Sequence, residues 1–358
     1  MLKQDLLKNQ YKQSLKDCFS KISKEEVVLE PRQNQTNADV SVDLLINDQK
    51  KPLFIQLKSL GTPKNIQDAV NQLLVILNKV PNAYGIVIAP FISSRSAKIC
   101  NDANVGYIDL SGNFRINFDN IFLSQQNMPN QYPVETSLTN IYAPKSSRVL
   151  RVLLTFPNKI WKTTELAEEA NISLGMITHI RRRLEEETWI KNHESGFSLS
   201  NPGGLMRDWD THYDFNDHVR YDFYTLESLS AVENKISDIC EEAKILSALT
   251  GFSAATRLAP MVKGQRSTIF INQDIHRIAK EAKLKPVESG ANISLIKPYD
   301  RGVFWNRDKD GDAYIATPTQ VYLDLKQMRG RGDEAAEFLF TEVIQKTWQS
   351  QKNTMNLS

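Results

Sequence analysis

The segment that most limits what this chain can fold into runs from Thr163 to Ser200, TTELAEEANISLGMITHIRRRLEEETWIKNHESGFSLS. Thr163 or Thr164 can cap a helix, and Glu165 and Glu168 then lie near its start, where the helix dipole favours negative charge. That helix is expected to end near Ala170. Asn171-Ile172-Ser173 supplies a tight turn and a new cap, after which Leu174 to Glu186 has room for about 3.5 turns. Two helices joined by three residues predict a helix-turn-helix.

At about 100° per residue, Ile177, Ile180 and Leu184 share one face and must be core. Gly175, Thr178, His179, Arg182 and, at the edge, Arg183 point away. A face that is small, polar and basic near the start of a helix suits the major groove, which a bulky or acidic N-terminal half would not enter. Beyond the helix, Trp189 and Ile190 resume apolar character, and IKNHESGFSLS alternates around Glu194-Ser195-Gly196 as a hairpin does. The expectation is a winged helix-turn-helix over 146–210, opened by the helix SSRVLRVLLTF. Ser173, Thr178, His179 and Arg182 would be nearest the bases, with Lys162, Arg183, Lys191 and His193 near the DNA backbone. From Lys145 to Ser200 there are nine Lys or Arg against seven Asp or Glu. The basic character is therefore local, and a winged helix serving protein contacts is the plainer alternative.

Before that segment, residues 1–125 read as an α/β sandwich. A helix over Leu2 to Ile22 precedes strands VSVDLLI (Val40 to Ile46) and PLFIQLKSL (Pro52 to Leu60), a helix over Asn65 to Leu77, a buried strand AYGIVIAP, a Ser-capped helix SSRSAKICNDA, and the strands GYIDL and NFRINF. Asp43 on one strand and Gln56-Leu57-Lys58 on the next match the pattern of restriction-endonuclease-like folds, in which an acid and a (D/E)xK triplet hold magnesium and a lysine helps activate water. Gln56 stands where that pattern has a carboxylate, and an amide brings no charge to a hard cation. Asp39 or Asp48 could add an oxygen. Asp43 is the candidate metal ligand and Asp43, Gln56 and Lys58 the candidate catalytic set; a retained but inactive scaffold and a solvent-facing lysine are the alternatives.

Residues 126–145 are rich in Gln, Asn, Pro and Ser and read as a linker, and 211–358 read as a C-terminal α+β domain closed by a long helix GDEAAEFLFTEVIQKTWQS. DKDGD (Asp308 to Asp312) begins like a calcium loop but has Thr319 at the twelfth position, which favours a hairpin turn. Gly332 of GRGDE would stand at a helix start. The net charge of +2 excludes an indiscriminate nucleic-acid coat, and three separated cysteines exclude a disulfide framework or a zinc site. The absence of a long apolar run or a signal-peptide pattern predicts a cytoplasmic protein with no membrane partner.

The combination of PLFIQLKS, AYGIVIAPFISSRSAKICNDANVGYIDLSGNFRI, the winged-helix segment and ATPTQVYLDLKQMRGRGDEAAEFL (Ala316 to Leu339) resembles the AbiEi-like transcriptional regulators, the antitoxin family of type IV toxin-antitoxin and abortive-infection systems. GYIDLSGN and VYLDL followed by GRGDEAAEFL carry most of the likeness. The resemblance implies a DNA-binding antitoxin that represses its own operon and counteracts a nucleotidyltransferase-type toxin without a stable complex. It gives no catalytic residue in the C-terminal domain. Family members carry the winged helix at the N-terminus, whereas a nuclease-like domain precedes it here. The partners expected are double-stranded DNA, a functionally linked toxin and, as in many such regulators, a second copy in a homodimer. No cofactor is needed for the regulator; magnesium enters only if residues 1–125 act as a nuclease.

Overall fold

The computed structural model describes residues 2–20, 28–32, 36–46, 49–133, 140–259 and 264–355. Asp48 and the last residues of the expected first helix, 21–22, lie outside them. The protein is a mixed α/β chain in two compact units, Met1–Ser137 together with Glu185–Thr188, and Leu138–Leu184 together with Trp189–Ser358.

The first unit contains α1 (Leu2–Phe19), β1 (Val28–Pro31), β2 (Val40–Ile46), β3 (Gln49–Leu57), α2 (Pro63–Leu77), β4 (Tyr84–Ala89), α3 (Ser94–Asp102), β5 (Gly106–Asp109), β6 (Phe114–Phe118) and β7 (Ile121–Gln125). The seven strands stand in chain order, parallel only at β3–β4–β5 and antiparallel on both flanks. Parallel neighbours need a crossover, which α2 and α3 supply. Every residue of β4 is buried, and alternation divides them between two cores. Ile86 and Ile88 pack in the cluster that holds Leu15 and Phe19 of α1; Val87 and Ala89 pack in the cluster of Val70 and Leu73 of α2 and Cys100 of α3. Both faces of the strand are covered, so the run YGIVIA has no polar position. Ser93 caps α3 by accepting from the Ser96 backbone N–H, as its sequence predicts.

The second unit begins with α4 (Pro144–Thr155), α5 (Thr163–Ala170), α6 (Leu174–Glu186, whose last two residues fall with the first unit), the hairpin β8 (Ile190–His193) and β9 (Gly196–Leu199), and α7 (Pro202–Asp210). It continues through β10 (Val219–Tyr224), α8 (Leu229–Glu242), β11 (Ser247–Thr250), α9 (Gly251–Leu258), β12 (Ser267–Ile271), α10 (Ile275–Glu281), β13 (Lys285–Pro286), β14 (Ile293–Lys297), β15 (Asp308–Asp310), β16 (Ala313–Ile315), α11 (Pro318–Lys326), α12 (Gly332–Leu339) and α13 (Lys346–Met355). The sheet order is β13-β10-β14-β12-β11-β16-β15. Leu150, Trp161 and Ile177 from the central stretch lie in one buried cluster with Ile236, Phe270 and Leu323 from the C-terminal stretch. The two stretches share one core.

Two expectations are refined. The DKDGD segment is the β15–β16 hairpin, with Gly311 at φ +61° in its turn, a conformation that favours glycine. The long closing helix is interrupted: α12 and α13 are separated by a π-helical turn at Phe340–Gln345. Gly332 opens α12 where a Cβ would come 2.3 Å from the Leu325 carbonyl of α11, so close helix packing is what this glycine serves.

Candidate nucleic-acid interface

Helices α5 and α6 meet through Asn171, which closes α5 at φ 51° in the left-handed region, a conformation Asn tolerates better than most residues. The cap of α5 is Lys162, not a threonine. Thr163 is the first helical residue, and its hydroxyl accepts from Arg181 at 3.3 Å. Ser173 precedes α6, its hydroxyl accepting from the Met176 N–H. Ile177, Ile180 and Leu184 are buried, while Leu174, Gly175, Thr178, His179 and Arg182 are exposed. The helical phasing read from the sequence therefore describes α6.

The hairpin is held against the chain before α5. Trp161 and Phe197 exchange backbone hydrogen bonds of 2.8 and 3.1 Å, and a Cβ at Gly196 would fall 2.3 Å from the Trp161 carbonyl oxygen. Only glycine leaves room for that approach. Arg181 binds Thr163 and, at 3.0 Å, Asn192 of β8, with its guanidinium 4.9 Å from the Phe197 ring centroid. It fastens α6 to α5 and the hairpin, whereas its neighbour Arg182 is left in solvent and Arg183 is half-buried. Lys162 and Lys191 are exposed. His193 is half-buried, with a ring nitrogen 2.8 Å from the Ser198 hydroxyl, so it is not a free arm reaching outward.

In the first unit, the pairing register sets Asp43 apart from Gln56 and Lys58. Asp43 stands opposite Pro52 of β3, four positions before Gln56, roughly 13 Å along an extended strand. Its carboxylate meets Arg32 at 2.9 Å and Lys50 at 3.0 Å. Burial tends to raise its pKa, but hydrogen bonds and charge from Lys50 and Arg32 outweigh that and hold it below the usual carboxylate range. Asp43 thus stands as an ion-paired strand residue, apart from Gln56 and Lys58 along the strand. The register instead brings Asp39 to the end of β3, where its carboxylate accepts from the Leu57 N–H at 2.8 Å. Gln56 is buried and donates to the Asn37 carbonyl, and Lys58 donates to Gln72 of α2 at 3.1 Å. Among the described residues no group of three or more His, Cys, Asp or Glu could hold a metal ion. One carboxylate and one neutral amide supply too little negative charge to fit a magnesium site, which needs charged oxygen donors.

The two signature segments do structural work. In GYIDLSGN, the buried Asp109 carboxylate accepts from the Ile92 and Asn113 backbone N–H groups and the Asn113 amide, which in turn pairs with both polar groups of the Met128 backbone. This motif fastens the chain after β7. In VYLDL, Asp324 is fully buried and receives Tyr213 at 2.5 Å, Gln320 at 2.8 Å and the Thr250 hydroxyl. The Tyr299 N–H reaches His218 Nδ1, so Nε2 carries the ring proton and donates to Tyr213, whose hydroxyl donates to Asp324. Arg151 of α4, itself buried, closes the network by donating to Gln320 and Ser147. Burial lifts Asp324 to about 6, and burial followed by the Arg151 charge depresses His218 to about 3. Sequence reading missed this network, because its members are scattered from Ser147 to Asp324 and a buried Arg has no periodic signature.

No helix among the described residues is long and apolar enough to cross a membrane. Compared with curated proteins and with solved structures, the chain gave no match to either. A family model described as transcriptional regulator, AbiEi antitoxin, type IV TA system, matches residues 198–345. That span starts in β9 and runs through the π-helical turn, so it covers α7, the second sheet and the Asp324 network apart from its α4 members Arg151 and Ser147, and leaves the first unit and α4–α6 outside. The resemblance read from VYLDL and GRGDEAAEFL thus coincides with a match to the AbiEi antitoxin family of type IV toxin-antitoxin regulators over residues 198–345.

Proposed function

We propose that this protein is a sequence-specific, double-stranded-DNA-binding transcriptional regulator, antitoxin-like, that represses its own toxin-antitoxin or phage-defence operon. Helix α6 is its recognition helix in a winged helix-turn-helix formed by α4–α6 and the β8–β9 hairpin. The observation that carries this reading is the composition of the exposed face of α6: Gly175 and Thr178 are small, His179 and Arg182 are donors, and the half-exposed Leu174 offers an apolar contact. A guanidinium pairs with guanine and an apolar side chain with a thymine methyl in the major groove. Lys162 and Lys191 would meet phosphates. The match to the antitoxin family over 198–345 supports the regulatory role and a functional link to a nucleotidyltransferase-type toxin.

Arg182→Ala is expected to weaken binding to the preferred operator by roughly 1 to 3 kcal/mol more than to random duplex. Fluorescence anisotropy on fragments selected from genomic DNA, the protein's own promoter among them, measures it. Equal losses on both sequences would reduce Arg182 to a phosphate contact.

The nuclease alternative draws on the register of Asp39, Gln56 and Lys58, but the donor set does not fit magnesium and we derive no hydrolytic step from it. Plasmid incubated with magnesium or manganese stays intact on the regulator reading; cleavage abolished by Asp39→Ala would reverse the ranking.

A further inference from the structure

Inside the second unit an open cleft lies where α4, the α5–α6 turn and the 3-10 turn Arg301–Phe304 converge. Lys145, Arg148, Asn171, Ser173, Met176 and Arg301 line it. Of its three cations, Arg148 is committed: it holds Asp300 through two hydrogen bonds of 2.8 and 2.7 Å and donates to the Asn171 carbonyl. Lys145 and Arg301 are exposed and have no hydrogen-bond or ion-pair partner among the described residues. Asp300 is spent on Arg148, and Glu169, which lines the adjoining cavity with Arg148 and Arg301, accepts from the Trp305 indole N–H. Two cations without an ion-pair partner among the described residues therefore face one opening.

Arg301 is fixed in this position by the fold. Asp300 caps the 3-10 turn by accepting from the Gly302 N–H at 2.7 Å while it binds Arg148, and a Cβ at Gly302 would come 2.9 Å from Arg148 Cγ. The turn is thus docked on α4 beside Ser173, the residue that caps α6. Like charges held close without a counter-ion cost free energy unless an anion joins them, and duplex DNA offers phosphates at regular spacing along its backbone.

Resting on the DNA-binding reading above, we propose that Lys145 and Arg301 form a phosphate clamp. It seats the DNA backbone beside the start of α6, so the family-matched C-terminal region supplies part of the DNA interface instead of serving the toxin function alone. A backbone clamp carries no sequence information, since phosphates position a protein and base edges specify it. Its removal should lower affinity on every sequence alike.

The test is the dependence of binding on salt, with the full chain, on the selected operator and on random duplex. Loss of two phosphate contacts lowers the slope of log K against log salt by about 2. The double variant Lys145→Ala/Arg301→Ala should show that decrease on both duplexes, with the operator preference intact and thermal unfolding unchanged, because neither side chain packs or pairs. Lys352→Ala, which removes one charge from α13 outside the cleft, should leave the slope alone. An unaltered slope in the double variant overturns the clamp while leaving the α6 reading standing, and an equal decrease in Lys352→Ala overturns it in favour of net charge. A wild-type chain without salt-dependent DNA binding removes both the clamp and the reading on which it rests.

Discussion

Asp43 in the first unit and Asp324 in the second expose little surface, 5% and 0%, but Asp43 lies shallow beneath solvated cations and Asp324 deep in the core, and they differ in what meets them. Asp43 is gripped by two cations that remain 36% and 53% exposed themselves, Arg32 and Lys50. Asp324 is met by neutral donors only: a phenol, an alcohol and an amide, with Arg151 reaching it through Gln320. The cations overcome burial and depress the pKa of Asp43, whereas neutral donors only moderate burial, which lifts Asp324 to about 6. Depth and the charge of the partners together set the charge state of a buried carboxylate. The contrast also separates a rim ion pair, weakened by salt, from a core network in which every removal strands a donor.

The largest effect should come from Asp324→Ala. It leaves the Tyr213, Thr250 and Gln320 donors without an acceptor in a dry core and opens a small cavity, at a cost of about 4 kcal/mol in urea unfolding. A loss below about 1 kcal/mol would mean that the donors find other acceptors and that the network is loosely held.

Next is the acid profile. The raised pKa of Asp324 means that the native state binds a proton more tightly than the unfolded one, so its contribution to stability grows as pH falls through about 6. His218 acts in the opposite sense: native His218 resists protonation down to about 3, while the unfolded side chain takes a proton near the ordinary histidine value of 6.5, so acid weakens the fold. The two nearly cancel between roughly pH 6 and 4. Asp324→Asn removes one side of the balance, and stability should then fall with acidification by on the order of 1.4 kcal/mol per pH unit relative to wild type. Parallel profiles for the two proteins would show that Asp324 does not titrate in this range.

Asp43→Asn should have the smallest effect, about 1 kcal/mol at neutral pH and less in high salt, because both of its cations are solvated. Its lowered pKa places that stability above the ordinary carboxylate range, to be lost as pH falls through the folded value. Wild type and variant should therefore converge in acid. A salt-independent difference would instead assign the loss to packing.

Helix α6 was legible because amphipathic phasing depends only on neighbours three and four positions away: Ile177, Ile180 and Leu184 declare the core whatever lies beyond it. The β4 run was legible for a similar reason, since a strand without polar positions must be covered on both faces. Threonine capping of α5 failed by one or two residues, because helix starts are chosen by tertiary contacts, here the Trp161–Phe197 bridge immediately before it. Grouping Asp43 with Gln56 and Lys58 failed because strand membership and shared face follow from alternation, while the position along a hairpin follows from register, which the turn and the two cores fix.

The sequence by itself determined the alternation of strands and helices from Val40 to Phe118, the outward face of α6 and the likeness of the C-terminal region to a known family, all of which rest on local periodicity or on contiguous motifs. Only the tertiary structure decided that the central and C-terminal stretches share a core, that Asp39 and not Asp43 stands at the end of β3, and that Arg151 closes a network around Asp324. Only it, too, set Arg301 beside Lys145, residues 156 positions apart in the chain. Such pairings are written in no local pattern, because they arise when distant segments bury their apolar faces together and carry their polar side chains with them.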